Sequence, residues 1–259
     1  MDFSNRRAAL VVAHPGHELR VYQWLRLARP LCFVLTDGAG RSGVSRLPST
    51  TTVLEQTGAR AGSIYGRLSD HATYLAIMNR EVDLFTEVAE ELALELVREQ
   101  IEYVVGDALE GYNPVHDVCR FMLNAAVERA NRQSDLPMLN FEVFLTSPPE
   151  QPPPECAGAM WLHLDEESVA RKLHAAVAYP GLAADVGRIL DQEGKDALRI
   201  ERLHPARNWS ACDGAAGTPY YEMYGEKQVA AGHYQHVLRY RDHVRPIAEA
   251  LGSWLNRGS

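Results

Sequence analysis

Cysteine is scarce in this chain. Cys32, Cys119, Cys156 and Cys212 stand apart with no CxxC pair, so no paired-cysteine metal or redox motif is on offer. Cys32 and Cys119 lie in apolar or helical contexts and read as free buried thiols. Runs of Lys and Arg are missing as well: 26 basic residues face 34 acidic ones, a formal charge of −8. That balance argues against nucleic acid and anionic membrane as partners. No long apolar run occurs. MDFSNRRAALVVAHP has two arginines but too few apolar residues for a signal-peptide core, and nothing later approaches a membrane span. The expectation is a soluble, cytoplasmic protein. There is no internal repeat, and the one low-complexity stretch is SPPEQPPPE, residues 147–155.

What is present is ordinary globular material: 259 residues, 46% hydrophobic and 23% charged. This suits a single α/β domain, with a core over residues 1–146 and a C-terminal elaboration over 147–259 lining the pocket. AALVVA (8–13) is the continuous apolar run of a strand buried on both faces. HELRVYQWLRLAR then reads as a helix and PLCFVLTDG as a second strand. A short helix over 52–61 and a third strand, SIYGRLSD, follow, the strand ending at Asp70. NREVDLFTEVAEELALELVREQI carries the clearest apolar stripe, through Val82, Phe85, Val88, Leu92 and Leu96. EYVVGDA is a fourth strand, DVCRFMLNAAVERANRQ a helix and PMLNFEVFL a fifth strand. Beyond the prolines come a strand, AMWLHLD, two helices over 166–199 and a last helix over 233–257. Strand and helix in alternation predict a Rossmann-like, mostly parallel sheet with helices on both faces.

In such a sheet ligands bind at the carboxyl ends of the strands. Polar residues collect there: His14, His17 and Glu18 after strand one, Asp37 after strand two, Asp70 and His71 after strand three. Asp107, Glu110, Asn113 and His116 follow strand four. His14, His17 and His116 come from two strand ends, and three neutral imidazoles with an open fourth position are the pattern of a catalytic zinc site. Imidazole suits several ions, so another divalent transition metal is equally open. Each histidine taken alone reads as a polar loop residue. Glu18 is first a favourable charge in a helix first turn. Asp37 and Asp70 read equally as helix caps and as substrate contacts, and Asp117 as first-turn charge.

AHPGHE, residues 13–18, resembles the Ala-His-Pro-Asp-Asp-Glu motif of the LmbE-like (PIG-L) zinc-dependent N-deacetylases. NPVH, residues 113–116, resembles that family's later His-Pro-Asp-His motif. With the strand order, the TDGAGRSG segment and the acid after strand three, the resemblance covers roughly residues 7–145. It implies zinc ligands at His14, His17 and His116, with a histidine at 17 where the family has aspartate. It also implies removal of an N-acyl group from a sugar or small amine. The family's general base falls on Gly16, which has no side chain to take a proton, and the histidine that aids its transition state falls on Asn113.

Another group must then move the proton. Glu18 is the nearest carboxylate. PYYEMYGEKQVAAGHY, residues 219–234, crowds Tyr221, Glu222, Tyr224 and Glu226 into a span suited to a ligand pocket. Glu222 or Glu226 is the further candidate base, and Tyr221, Glu222 and Tyr224 join Asp37, Asp70 and His71 as candidate substrate contacts. The same span also reads as a surface loop. His163, His174, His204, His236 and His243 read as surface or core histidines. The expected partner is a small-molecule substrate, with homo-oligomerisation left open. Because of Gly16, a metal-dependent lyase, cyclisation or redox reaction stands as an alternative, and so does a non-catalytic binding protein.

Overall fold

The computed structural model describes residues 5–134, 137–146, 158–206 and 217–257. SPPEQPPPE, Cys156 and Cys212 lie outside them. Seven strands form one sheet: β1 (Ala8–Val12), β2 (Leu31–Thr36), β3 (Arg60–Leu68), β4 (Tyr103–Asp107), β5 (Leu139–Val143), β6 (Met160–His163) and β7 (Ile200–Pro205). Their spatial order is β3-β2-β1-β4-β5-β7-β6. The first five are parallel. β7 runs antiparallel to both β5 and β6.

β1 explains why the sheet is covered on both sides. Successive side chains of a strand point to opposite faces. Accordingly, Ala9 and Val11 join one apolar core while Ala8, Leu10 and Val12 join another. The first core holds α4 (Val82–Arg98), α5 (Pro114–Asn131) and α9 (Arg245–Asn256) against the sheet. The second holds α1 (Tyr22–Ala28), α2 (Leu47–Thr57) and α6 (Glu166–Val177). The α4 stripe is buried as its spacing predicts, at Phe85, Val88, Leu92 and Leu96. Among the described residues, no helix is long and apolar enough to cross a membrane.

Several boundaries differ from the sequence reading. α2 begins at Leu47, with Pro48 in its first turn, where a proline's missing N–H costs nothing. Asp70 does not end β3; it opens α3 (Asp70–Asn79), a helix absent from the sequence reading. Ser69 caps α3 by accepting the Ala72 N–H, and Arg80 ends it with a φ of 58°. The long helix therefore starts at Val82. β7 has no counterpart among the strands read from the sequence, because an antiparallel strand near a sheet edge carries a mixed polar pattern. The Tyr-rich span is a helix, α8 (Tyr220–Ala230), and the last helix is confined to Arg245–Asn256 after a π-turn at Tyr240–Val244. α7 (Ala183–Glu193) completes the set and is followed by a short 3₁₀ turn.

Candidate metal centre

The sheet order places one cleft at its middle. β1 leads outward to β2 and β3, and the chain then crosses back to lay β4 on the other side of β1. Strand ends flanking such a reversal diverge and leave a crevice. Register fixes what lines it. Val11 pairs with Gly106, which brings Asp107 level with the end of β1, where its Oδ2 accepts the Ala13 N–H at 2.7 Å. Thr36 ends β2, and its N–H reaches Ala13 O at 3.0 Å.

Three imidazoles meet in this crevice. The ring centroids of His14, His17 and His116 are separated by 5.4 Å, 5.1 Å and 4.6 Å, all edge to face. His14 follows β1 directly. His17 opens a 3₁₀ turn, His17–Val21, that leads into α1. His116 sits in the first turn of α5, which Asn113 caps by accepting the Val115 N–H at 2.8 Å.

Two of the rings are held by carboxylates. His14 Nδ1 lies 3.0 Å from Asp70 Oδ1 and 2.8 Å from Thr36 Oγ1. His17 Nδ1 lies 2.9 Å and 3.0 Å from the two oxygens of Asp107. A carboxylate acceptor puts the proton on Nδ1 and leaves Nε2 with its lone pair, the arrangement usual for a histidine that ligates a metal. Asp70 is fixed in turn by the Gly40 N–H at 2.7 Å. Burial alone would raise the Asp107 carboxyl, but the neighbouring imidazoles and the Ala13 N–H hold it at about 2. Asp70 is likewise opposed by burial, yet its hydrogen bond from His14 holds it below the usual carboxylate range.

The His14 and His116 rings are pushed toward the neutral form. Burial lowers His14, partly opposed by Asp70. Burial, then the positive charge of the other two imidazoles, carries His116 well below an ordinary histidine. His14 Nε2 and His116 Nδ1 are buried without a hydrogen-bond partner among the described residues. Buried polar atoms are seldom left so. Neutral imidazoles with unspent lone pairs on one crevice fit a divalent transition metal such as zinc. Among the described residues, no group of three or more His, Cys, Asp or Glu side chains is arranged so that it could hold a metal ion as it stands.

Gly16 adopts a φ of 108°, a conformation that L side chains rarely take. A Cβ there would lie 2.6 Å from Leu182 Cδ1, at the start of α7. A side chain at position 16 would therefore meet an unfavourable backbone conformation and would have to displace the Leu182 methyl. Glu18 is fully buried and its Oε2 accepts the Gly16 N–H at 2.6 Å, clamping the loop. Burial pushes its carboxyl up.

The remaining candidates lie as follows. Asp37 Oδ1 accepts the Ala39 and Asp70 N–H groups at 3.0 Å each, shaping the loop that carries Asp70. His71 is exposed in the first turn of α3. Glu222 accepts the Tyr240 N–H at 2.9 Å and pairs with Arg239 at 3.1 Å. Arg239 also holds Glu226 at 3.0 Å. Tyr221 is buried, with its hydroxyl unpartnered among the described residues. Tyr224 stacks on Tyr220.

Sequence reasoning named Asp107 only as a strand-end acid and passed over Thr36, Leu182 and Arg120. Asp107 had a signal, being a charge at the end of an otherwise apolar strand. Arg120 is also fully buried and donates to Phe141 O at 3.1 Å and to Asp107 O, so it secures the strand that presents Asp107.

Asp117, beside His116, is buried and accepts the Gly111 N–H at 3.2 Å. Burial, reinforced by Glu110, raises its carboxyl to about 7. The folded state then keeps a proton that the unfolded chain releases near pH ~4. Stability from this group is full below that pH and declines as pH rises toward 7. Urea unfolding of Asp117→Asn should accordingly show a gain over the parent that is largest at pH 8, by up to a few kcal/mol, smaller at pH 5 and absent below pH ~4. An identical difference at every pH would contradict the assignment.

No protein-family model matches the sequence, and no curated protein matches it significantly. Solved structures do share the fold. A triple mutant of a deacetylase of the teicoplanin biosynthetic pathway superposes with a TM-score of 0.54 at 16% identity, over 80% of this chain and 100% of that one. The A40926 pseudoaglycone deacetylase Dbv21 gives 0.52 at 18%, over 83% and 100%. The zinc-inhibited form of the teicoplanin deacetylase Orf2 gives 0.52 at 15%, over 80% and 100%. The chain thus shares the α/β fold of these deacetylases.

Proposed function

We propose that this protein is a metal-dependent hydrolase, with zinc the leading candidate ion, that removes an N-acyl group from a sugar or a small amine-containing substrate. The observation that carries the reading is the cluster of His14, His17 and His116, two of whose rings are buttressed by buried carboxylates. Deacetylase activity in the proteins that share the fold supports it.

His14, His17 and His116 would hold the ion, which supplies Lewis acidity to an amide carbonyl and to attacking water. Asp70 and Asp107 keep the His14 and His17 rings in the ligating tautomer. Asn113, on the loop before His116, spends its Oδ1 on the Val115 N–H, so only its amide N–H groups could meet the substrate without uncapping α5. Exposed His71 and the Tyr-rich helix α8 are further contacts on this reading. Proton transfer falls to a group other than residue 16. Glu18 can serve only if the loop opens, since it is fully buried and one of its oxygens holds the Gly16 N–H. Glu226 can serve only by leaving Arg239.

The reading is tested by supplying metal-loaded protein with a panel of N-acetylated amino sugars and amines in ¹⁸O-water. Hydrolysis places one heavy oxygen in the released acetate. Gly16 favours a second reading, a metal-dependent lyase or cyclisation in which substrate groups carry the protons. Turnover without heavy oxygen in any product would sink the hydrolase in favour of that alternative.

A further inference from the structure

Tyrosines gather beside the crevice. Tyr112, in the loop after β4, stacks on Tyr220 of α8 with ring centroids 5.1 Å apart and planes 6° from parallel. Tyr220 stacks in turn near Tyr224, at 6.1 Å and 27°. Tyr112 and Tyr220 are each 47% exposed, and Tyr74 is 38% exposed. Apolar surface left open in this way is a mark of binding sites.

Two routes tie the stack to the histidines. Tyr74 lies one helical turn beyond Asp70, the partner of His14, and so shares its face of α3. Tyr112 directly precedes Asn113, which caps the helix that carries His116. The nearby charges are occupied: Glu222 and Glu226 both pair with Arg239. A polyol would need such groups for its hydroxyls, whereas a flat ring needs only the open tyrosine face.

We propose that Tyr112, Tyr220 and Tyr224, with Tyr74 at the rim, form a stacking subsite for an aromatic ring carried by the substrate next to its amide. Offset stacking sets the positive edge of one ring over the negative face of the next, and the parallel Tyr112–Tyr220 pair already presents that geometry. The word substrate rests on the hydrolase reading, but ring binding does not require turnover.

The test is saturation-transfer NMR with N-acetyltyramine and, separately, N-acetylglucosamine. The proteins are the parent, Tyr112→Ala, Tyr220→Ala, Tyr112→Phe and His116→Ala. Expected is strongest saturation on the aromatic protons of N-acetyltyramine, with affinity falling roughly threefold to tenfold in both tyrosine-to-alanine variants. Tyr112→Phe should bind as the parent does. His116→Ala should keep the ring signal, so a failed hydrolase leaves this result standing and a failed subsite leaves hydrolysis standing. Unchanged affinity in the alanine variants, preference for N-acetylglucosamine, or no binding of N-acetyltyramine would each overturn the proposal.

Discussion

Replacing His116 with alanine is expected to weaken divalent metal binding by roughly a hundredfold to a thousandfold. A four-ligand structural zinc site is worth about 10–16 kcal/mol, so one ligand represents about 3–4 kcal/mol. The fold should survive, because His116 contributes no hydrogen bond to α5 through its buried Nδ1. Asp107→Asn offers a graded comparison. It keeps an acceptor for Ala13 but weakens the hold on His17, and a loss of about 10–100-fold in affinity is expected. Competition titration against a chromophoric chelator reads both. Equal affinity in the parent and His116→Ala would remove that residue from the centre.

The second large effect concerns Gly16. Gly16→Ala is expected to lower stability by about 1–3 kcal/mol, because φ is 108° and the new Cβ would press on Leu182 Cδ1 at 2.6 Å. Leu182→Ala should relieve the contact but not the backbone strain. Introduced into a Leu182→Ala background, Gly16→Ala should therefore cost less than in the parent, by about 0.5–1 kcal/mol of coupling. Chemical unfolding of the four proteins of this cycle decides it. The same cost in both backgrounds would show that Leu182 does not close the position.

The strand ends were readable because a buried parallel strand has to be apolar throughout, so its first polar residue marks the edge of the sheet. That logic picked out His14 and Asp107 from the pattern alone, whereas Asp70 and His116 lie at helix starts beyond their strands. Pairing between histidine and carboxylate was not readable, since it depends on register: Asp107 meets His17 only because Val11 lies beside Gly106. α3 escaped because HATYLAIM has no clean apolar stripe; its buried positions, Thr73, Ala76 and Ile77, include a polar residue. β7 escaped for the converse reason, as Glu201 and His204 are buried polar residues within a strand. Glu201 accepts the N–H groups of Gln23 and Trp24 and pairs with Lys172, a long-range cap that no local pattern announces. The Tyr-rich span looked like a loop because its glycine and polar residues obscured a helix that is apolar mainly where Tyr221 turns inward.

X-ray absorption spectroscopy at the metal edge of protein loaded with one equivalent of zinc tests the centre most directly. The account predicts three imidazole nitrogens at about 2.0–2.1 Å with one further light-atom ligand, reduced to two imidazoles in His17→Ala. A first shell with fewer than three imidazoles in the parent, or a zinc ion unaffected by the loss of His17, would contradict it.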